Sequence, residues 1–311
     1  MLTIPLGGNP NCGKSALFNA FTGIRQKTGN WPGVTVDRKE GHFRLDGQDT
    51  AVIDLPGIYS LDASSIDERI TRDYLLSRQA SLIVNVIDAS NLERNLYLTV
   101  QLREMGIPMV IALNMMDVAR KRGIEVDLKR LAEELGCPVV PVVAVTGEGL
   151  QQLKQTITSL TPEADGADFQ VTHEETVEQA ISALAPSLGR VRGQANRRWL
   201  ALKLLEGDAH ASALAGDDIQ PLVAQWRQTI EDRAGEEADI HIADARYGHA
   251  HALAQHVIRQ PGKAGRTLSD RIDRVILNRV AGIPIFLVVM YLMFMFTINF
   301  GGAFIDFFDI T

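Results

Sequence analysis

Cysteine is scarce in this sequence, and so are basic clusters. The 311 residues include only Cys12 and Cys137, too few for a disulfide framework, so we expect a reducing compartment. No run of lysine and arginine is long enough to make a basic face, and the formal net charge is −7, which argues against nucleic acid as a partner. No basic segment precedes the apolar residues 2–6, so no signal peptide is predicted.

Charge is also missing from one long stretch near the end of the sequence. Residues 281–300 carry no charged side chain and match the roughly 20 residues with which a helix crosses a bilayer. Arg274 and Arg279 precede this stretch, so the positive-inside rule places its N-terminal side in the cytoplasm. We predict a transmembrane helix over 281–303 that begins a membrane domain beyond residue 311; a buried core helix is the alternative.

What is present before that stretch is a regular alternation of two patterns. Over residues 1–163, apolar β-rich runs alternate with helical patterns, which predicts an α/β domain with a mainly parallel sheet. After a segment rich in Pro, Gly, Ala and Asp at 161–168, the β signal disappears, and the patterns predict a small all-α domain over 169–260. A polar amphipathic linker helix is predicted over 266–279.

The first chemical motif directly follows the first predicted strand. Residues 8–15 read G-N-P-N-C-G-K-S, in which glycines let the backbone N–H groups and the next helix N-terminus face phosphate oxygens. Lys14 would neutralise phosphate charge, and Ser15 offers a hydroxyl to Mg²⁺. The motif predicts a nucleoside triphosphate; taken alone, it could also be an accidental glycine-rich turn.

Two further motifs stand at the ends of later predicted strands. Asp54 and Gly57 form D-x-x-G, in which the carboxylate can hold Mg²⁺ through water and the glycine N–H can approach the γ-phosphate. Asn114 and Asp117 form N-x-x-D, in which the aspartate can accept both N1–H and the N2 amine of guanine, a donor pair that adenine lacks. In this order and at these separations, the motifs resemble those of a Ras-like G domain.

Two loops complete that resemblance. Thr35 lies in the loop between the first helix and the first hairpin and is the expected second hydroxyl on Mg²⁺. Residues 143–145 match the guanine-contacting loop, in which the resemblance implies that the Ala144 backbone N–H contacts the base. Met115 and Val145 stand where such domains usually have lysine, which predicts modest nucleotide affinity and fast exchange.

Three segments together resemble a particular family. They read G-N-P-N-C-G-K-S at 8–15, N-W-P-G-V-T at 30–35 and D-L-P-G-I-Y-S-L at 54–61, and they resemble the ferrous iron transport protein B (FeoB) family. The resemblance implies a Ras-like P-loop G domain, a helical domain that inhibits GDP dissociation, and a transmembrane helix. It also implies a bacterial inner-membrane transporter of Fe²⁺ whose G and helical domains lie in the cytoplasm. The implied partners are its own membrane domain, the lipid bilayer and small cytosolic accessory proteins.

The predicted hydrolytic mechanism departs from that of Ras-like enzymes. Ile58 occupies the position of their water-orienting glutamine, so unassisted hydrolysis is predicted to be slow. Asn11 matches the asparagine that holds K⁺ in potassium-activated GTPases, for which the carbonyls of Gly29 and Trp31 are further candidate ligands. A bound K⁺ would stabilise developing negative charge. The alternative is that Asn11 only closes its loop by a side-chain to backbone hydrogen bond.

The predicted site residues divide by role. The catalytic set is Asn11, Lys14, Thr35 and Gly57, and the Mg²⁺ set is Ser15, Thr35 and Asp54. The residues predicted to bind GTP or GDP are Gly8, Asn9, Pro10, Asn11, Cys12, Gly13, Lys14, Ser15, Gly33, Val34, Thr35, Val36, Asp37, Asp54, Leu55, Pro56, Gly57, Asn114, Met115, Met116, Asp117, Val143, Ala144 and Val145. Two other functions stay open: a soluble regulatory GTPase of the tRNA-modification or ribosome-assembly type, and unspecific hydrolysis of nucleoside triphosphates.

Overall fold

The computed structural model describes residues 2–23, 26–62, 65–77, 80, 82–160, 169–188, 196–259 and 282–309, with side chains except those of 26 and 299–309. Two compact units are present: Met1–Gln260 and Pro261–Thr311. The sheet part of the first unit has the strands β1 Leu2–Gly8, β2 Gln26–Asn30, β3 Asp37–Leu45, β4 Gln48–Asp54, β5 Ile83–Asp88, β6 Met109–Asn114, β7 Glu125–Val126 and β8 Val139–Pro141. Its helices are α1 Lys14–Thr22, α2 Ile66–Leu76, α3 Leu92–Glu104, α4 Met116–Lys121, α5 Leu128–Leu135 and α6 Leu150–Ser159.

Seven of these strands form one sheet in the order β2-β3-β4-β1-β5-β6-β8. The pairs within β4-β1-β5-β6-β8 are parallel, and β2-β3 and β3-β4 are antiparallel. Every residue of β5 and β6 is buried, as expected for parallel strands that helices cover on both faces. The mainly parallel sheet agrees with the sequence prediction, and it gathers the carboxyl ends of β1, β4 and β6 at one edge.

The helical part of the first unit follows at 175–257. Its helices are α7 Glu175–Leu184, α8 Arg197–Leu205, α9 Ala209–Ala215, α10 Gln220–Ala234 and α11 Ala238–Val257. The long helix α11 packs along α3 of the sheet part, where Tyr247 stacks on Tyr97 with ring centroids 3.9 Å apart. A two-residue strand, β9 Ile258–Arg259, then pairs antiparallel with β7.

Short elements are where the sequence patterns were wrong. No β structure was predicted after residue 168, yet β9 forms because the chain leaving α11 passes the edge of β7. The patterns also missed β2, α4, β7 and α9. Each of these is short, and β2, with the sequence QKTGN, has no alternation of apolar and polar residues.

The second unit contains the helix α12, Gly282–Asp309. The sequence predicted a transmembrane helix over 281–303, but among the residues that the structure describes no helix is both long and apolar enough to cross a membrane. The linker helix predicted over 266–279 lies outside the described residues.

Candidate nucleotide site

The loop between β1 and α1 has a backbone that only glycine can follow at two points. Gly8 has φ +143°, and a Cβ there would lie 2.3 Å from the Val86 carbonyl oxygen. Gly13 has φ +92°, and its Cβ would lie 2.2 Å from Nδ2 of Asn114. The loop therefore lies directly against β5 and the end of β6, with the N-terminus of α1 behind it.

A lysine, a hydroxyl and a carboxylate meet where β1 and β4 end. The Lys14 side chain is buried, and its Nζ lies 2.9 Å from the position that a Cβ on Gly57 would take. The Ser15 hydroxyl donates to Asp54 Oδ2 at 3.3 Å, and Asp54 Oδ1 is buried with no hydrogen-bond partner among the residues that the structure describes. Burial raises the pKa of the Asp54 carboxyl, against the opposing effect of Lys14 and Lys39. A buried carboxylate oxygen without a partner, beside a hydroxyl, is a donor set that suits Mg²⁺.

Asn114 braces the loops on the other side of the site. Its Nδ2 donates to the Cys12 carbonyl at 2.9 Å, and its Oδ1 accepts the Ala144 N–H at 3.0 Å. One side chain thus joins the phosphate loop to the loop at 143–145. Asp117 lies one turn further on, in the first turn of α4, where its half-buried carboxylate makes no hydrogen bond within the described residues.

The loop that carries Thr35 is closed by its own backbone hydrogen bonds. The Trp31 N–H donates to the Val36 carbonyl at 2.9 Å, and the Trp31 carbonyl accepts the Val34 N–H at 3.2 Å. The Trp31 ring packs edge-on against Tyr74 with centroids 5.4 Å apart. Thr35 is exposed, and within the described part of the chain no hydrogen bond joins it to Ser15 or Asp54.

The structure therefore brings together some of the predicted site residues and not others. The phosphate loop 8–15, the segment 54–57, Asn114 and the loop 143–145 converge at one edge of the sheet. Residues 33–37 form a turn, in which Val34 and Val36 are half-buried, and the first residue of β3. Gly29 lies in β2 opposite Arg38. In this arrangement the Trp31 carbonyl is already bonded to the Val34 N–H.

Sequence reasoning missed an ion network that begins beyond Gly57 and is buried except at the exposed Asp62, formed by Asp62, Glu104, Lys203, Glu206 and Arg246. Lys203 Nζ, on α8, lies 3.0 Å from Asp62 Oδ1 and 2.6 Å from Glu206 Oε2. Arg246, on α11, bonds Glu206 and lies 2.7 Å through Nε from Glu104 Oε2. The sequence signal that could have found it is weak, since only Lys203, within the apolar run of α8, stands out as a charge among buried positions.

The network fixes the chain that follows D-x-x-G. Gln101 Oε1 accepts the Leu61 N–H at 2.8 Å, and Gln101 Nε2 donates to Asp62 Oδ1 at 2.9 Å. A second bridge runs from Arg72 on α2 to Asp208 at the start of α9, at 2.8 Å, with both side chains buried. The segment after Gly57 is thus held from two sides by the helical part.

A mainly parallel sheet with a phosphate loop after its first strand, D-x-x-G after the fourth and N-x-x-D after the sixth defines the class of Ras-like G domains, here followed by an all-helical part. The chain belongs to the FeoB family. The family model for ferrous iron transport protein B matches residues 2–157, and that for the FeoB cytosolic helical domain matches 173–259. These matches confirm the family that the three sequence segments indicated.

Individual relatives agree with this assignment. The Fe(2+) transporter FeoB of Salmonella typhimurium is 44% identical over 315 residues, and that of Escherichia coli K12 is 44% identical over 320 residues. Each match covers 99% of this chain and 40% of the relative, so the chain spans about 40% of the length of these relatives.

Solved structures of the family have the same fold. A GDP-bound variant of the S. thermophilus FeoB G-domain has a TM-score of 0.78 and 39% identity, covering 83% of this chain and 100% of that chain. The cytosolic domain of T. maritima FeoB in its GMPPNP form has a TM-score of 0.73 and 36% identity, with the same coverage.

Proposed function

We propose that the sheet part binds GTP and GDP and slowly hydrolyses GTP. The observation that carries this proposal is the pair of hydrogen bonds by which Asn114 joins the phosphate loop to the loop 143–145, next to Asp117, whose carboxylate makes no hydrogen bond within the described residues. The structures of relatives in GDP-bound and GMPPNP forms support it.

Mg²⁺ fits the same site. Ser15 offers a hydroxyl, and Asp54 offers a buried carboxylate oxygen that has no partner in the described part of the chain. Thr35 would join them when its turn closes over the phosphates. When bound, Mg²⁺ neutralises charge on the β- and γ-phosphates. Lys14, beside Gly57, binds the same phosphates from the protein side, and the Gly57 N–H is left to orient the γ-phosphate.

Water must be activated without a glutamine, since Ile58 is buried and apolar. We assign K⁺ to Asn11, whose backbone lies at φ +64° and whose side chain is exposed and makes no hydrogen bond within the described residues. This freedom favours a ligand role over a loop-closing role for Asn11. Gly29 and Trp31 would offer carbonyls only after the turn at 31–36 rearranges, since the Trp31 carbonyl now accepts the Val34 N–H.

Hydrolysis by residues 1–260, which form one compact unit, tests the proposal. We expect GTP turnover in KCl to exceed turnover in NaCl by about tenfold or more, because a fixed cation at the phosphates stabilises the transition state by a few kcal/mol. Asn11→Ala should remove that difference and leave GDP binding in place. Equal turnover in both salts would exclude the cation mechanism, and equal hydrolysis of ATP would exclude guanine specificity.

The whole protein, we propose, is a bacterial inner-membrane transporter of Fe²⁺ of which this chain supplies the cytoplasmic nucleotide-dependent part. The relatives that it matches over 99% of its length are named Fe(2+) transporters. The proposed partners are a membrane domain of the same protein, the lipid bilayer and small cytosolic accessory proteins. Uptake of radioactive iron by cells that depend on the full-length protein, with and without Lys14→Ala, tests this function.

We also propose that the helical part slows GDP release, acting through the buried ion network. Lys203 of α8 holds Asp62, which lies five residues beyond Gly57. Lys203→Met removes the ion pair with Asp62 and leaves Glu206 paired with Arg246. We therefore expect GDP to dissociate about fivefold faster, which is the upper range for the effect of a partly exposed ion pair. Stopped-flow release of a fluorescent GDP analogue measures this rate. Lys129→Met on the exposed face of α5 is the matched control, and equal rates for both variants would contradict the proposal.

A further inference from the structure

We propose that Arg120 and Glu148 form a latch across the base side of the nucleotide site and slow the release of guanine nucleotide. This inference rests on the proposed function, since it presumes that a base is held between α4 and the loop at 143–149. Arg120 Nη2, on α4, lies 2.9 Å from Glu148 Oε1, in that loop. The two side chains belong to the two protein segments that carry Asp117 and Ala144.

Glu148 is held in place by its own loop. The Val143 N–H donates to the Glu148 carbonyl at 3.0 Å, and the Thr146 and Gly147 N–H groups donate to the Val143 carbonyl at 3.1 and 2.9 Å. The loop ends at Gly149, with φ +80°, where a Cβ would lie 2.1 Å from the Pro141 carbonyl oxygen. A loop closed by three hydrogen bonds and seated on β8 fixes the direction in which Glu148 leaves it.

Arg120 lies on the same helix as the residue that is proposed to bind the base. It stands three residues after Asp117 on a helix of six residues, so the two side chains share a face one turn apart. Any movement of α4 that carries Asp117 away from the base must also carry Arg120. By pairing with Arg120, Glu148 therefore also restrains Asp117, because α4 carries both Asp117 and Arg120.

Two segments form the walls of the base site, namely residues 114–121, which include α4, and the loop at 143–149. They are joined by one buried and one exposed contact. On the inside, Asn114 accepts the Ala144 N–H at 3.0 Å. On the outside, the Arg120–Glu148 pair is the one hydrogen bond or ion pair between 115–121 and 143–149 in the part of the chain that the structure describes. The inner bond is buried and also holds the phosphate loop, whereas the outer pair is exposed and is weakened by salt.

Release of the base requires these walls to separate, so the outer pair adds to the barrier for GDP dissociation. An exposed ion pair changes an equilibrium or a rate by up to about fivefold. Val145, in the loop at 143–149, has an apolar side chain that is 88% exposed and offers no polar group that would replace the pair.

The test is the dissociation rate of a fluorescent GDP analogue from the full chain, chased with excess GDP at low and high salt. We expect Arg120→Gln and Glu148→Gln each to speed release two- to fivefold at low salt and to remove most of its salt dependence. The double variant R120Q/E148Q should release the analogue no faster than the faster of the two single variants, because both remove the same pair. The matched control is Arg130→Gln, which breaks the exposed Arg130–Glu134 pair of α5, at 2.7 Å, far from the base in sequence.

Three results would overturn the latch. Unchanged release from both single variants means that the pair does not restrain the walls. Release from R120Q/E148Q that is faster by the product of the two single effects means that the two side chains act separately and not as a pair. Weaker binding by Glu148→Gln alone, cured by adding Arg120→Gln, means that Glu148 merely diverts Arg120 from Asp117. No binding of the analogue by the unaltered protein would instead refute the proposed function itself.

Discussion

Asp117→Asn is expected to lower GDP affinity by about 100-fold or more and to raise affinity for xanthosine diphosphate. A carboxylate accepts both N1–H and the N2 amine of guanine, and an amide in its place turns one acceptor into a donor that faces another donor. Two hydrogen bonds to a charged group contribute about 1.5–3 kcal/mol each, so their loss accounts for the expected change. Xanthine carries a carbonyl where guanine carries the amine, which the new amide donor suits.

Competition of GDP, xanthosine diphosphate and ADP against a fluorescent GDP analogue measures this change. The matched control is Asp127→Asn at the N-cap of α5, where asparagine also caps a helix and no base is expected. If Asp117→Asn binds GDP as tightly as the unaltered protein, Asp117 does not contact the base. The free half-buried carboxylate in the first turn of α4 would then need another role.

The parts of the site that sequence could predict are the motifs of fixed spacing that stand where buried strands end. Gly8 and Gly13 are needed because the phosphate loop approaches β5 and Asn114 too closely for a side chain. Asp54 and Asn114 are the last residues of β4 and β6, and a parallel sheet brings such strand ends to one edge. Local spacing and topology together are sufficient for this cluster.

The turn at 31–36 shows where that reasoning stops. Sequence predicts that Thr35 reaches Mg²⁺, whereas the structure places Thr35 in an exposed turn closed by the Trp31 and Val34 N–H groups. Such loops take up different conformations with and without the γ-phosphate, and one sequence encodes both. The strand β2 on its N-terminal side is likewise defined by pairing with β3, not by a pattern of its own.

The buried ion network could not be predicted for a different reason. Glu104 and Arg246 are 142 residues apart in the sequence, and each alone looks like a charge on a solvated helix face. They become a pair only because α11 packs along α3 and buries both side chains. No local pattern distinguishes a charge that will be buried with a partner from one that will stay in water.

Arg246→Met is expected to lower the free energy of unfolding of residues 1–260 by about 3–5 kcal/mol, because it leaves buried Glu104 without its guanidinium partner. Urea unfolding at pH 7, followed by circular dichroism, measures the loss. Arg130→Met, which breaks an exposed pair on α5, should change the same free energy by less than about 1 kcal/mol. A similar small loss for both variants would mean that the network contributes little to stability.

The pH dependence of the stability lost in Arg246→Met shows whether the loss comes from the missing charge or from poorer packing of the new side chain. Burial raises the pKa of the Glu104 carboxyl, but Arg246 and the nearby His173 outweigh it and hold the pKa below its ordinary value. Glu104 therefore stabilises the unaltered protein above the unfolded pKa of about 4.3, and this contribution is lost as the pH falls through the lower folded pKa. Without Arg246 burial dominates, the folded pKa rises, and protonation favours the folded state. The difference in unfolding free energy should thus be largest near pH 7 and narrow toward pH 4, whereas a packing defect alone would give a difference that does not change with pH.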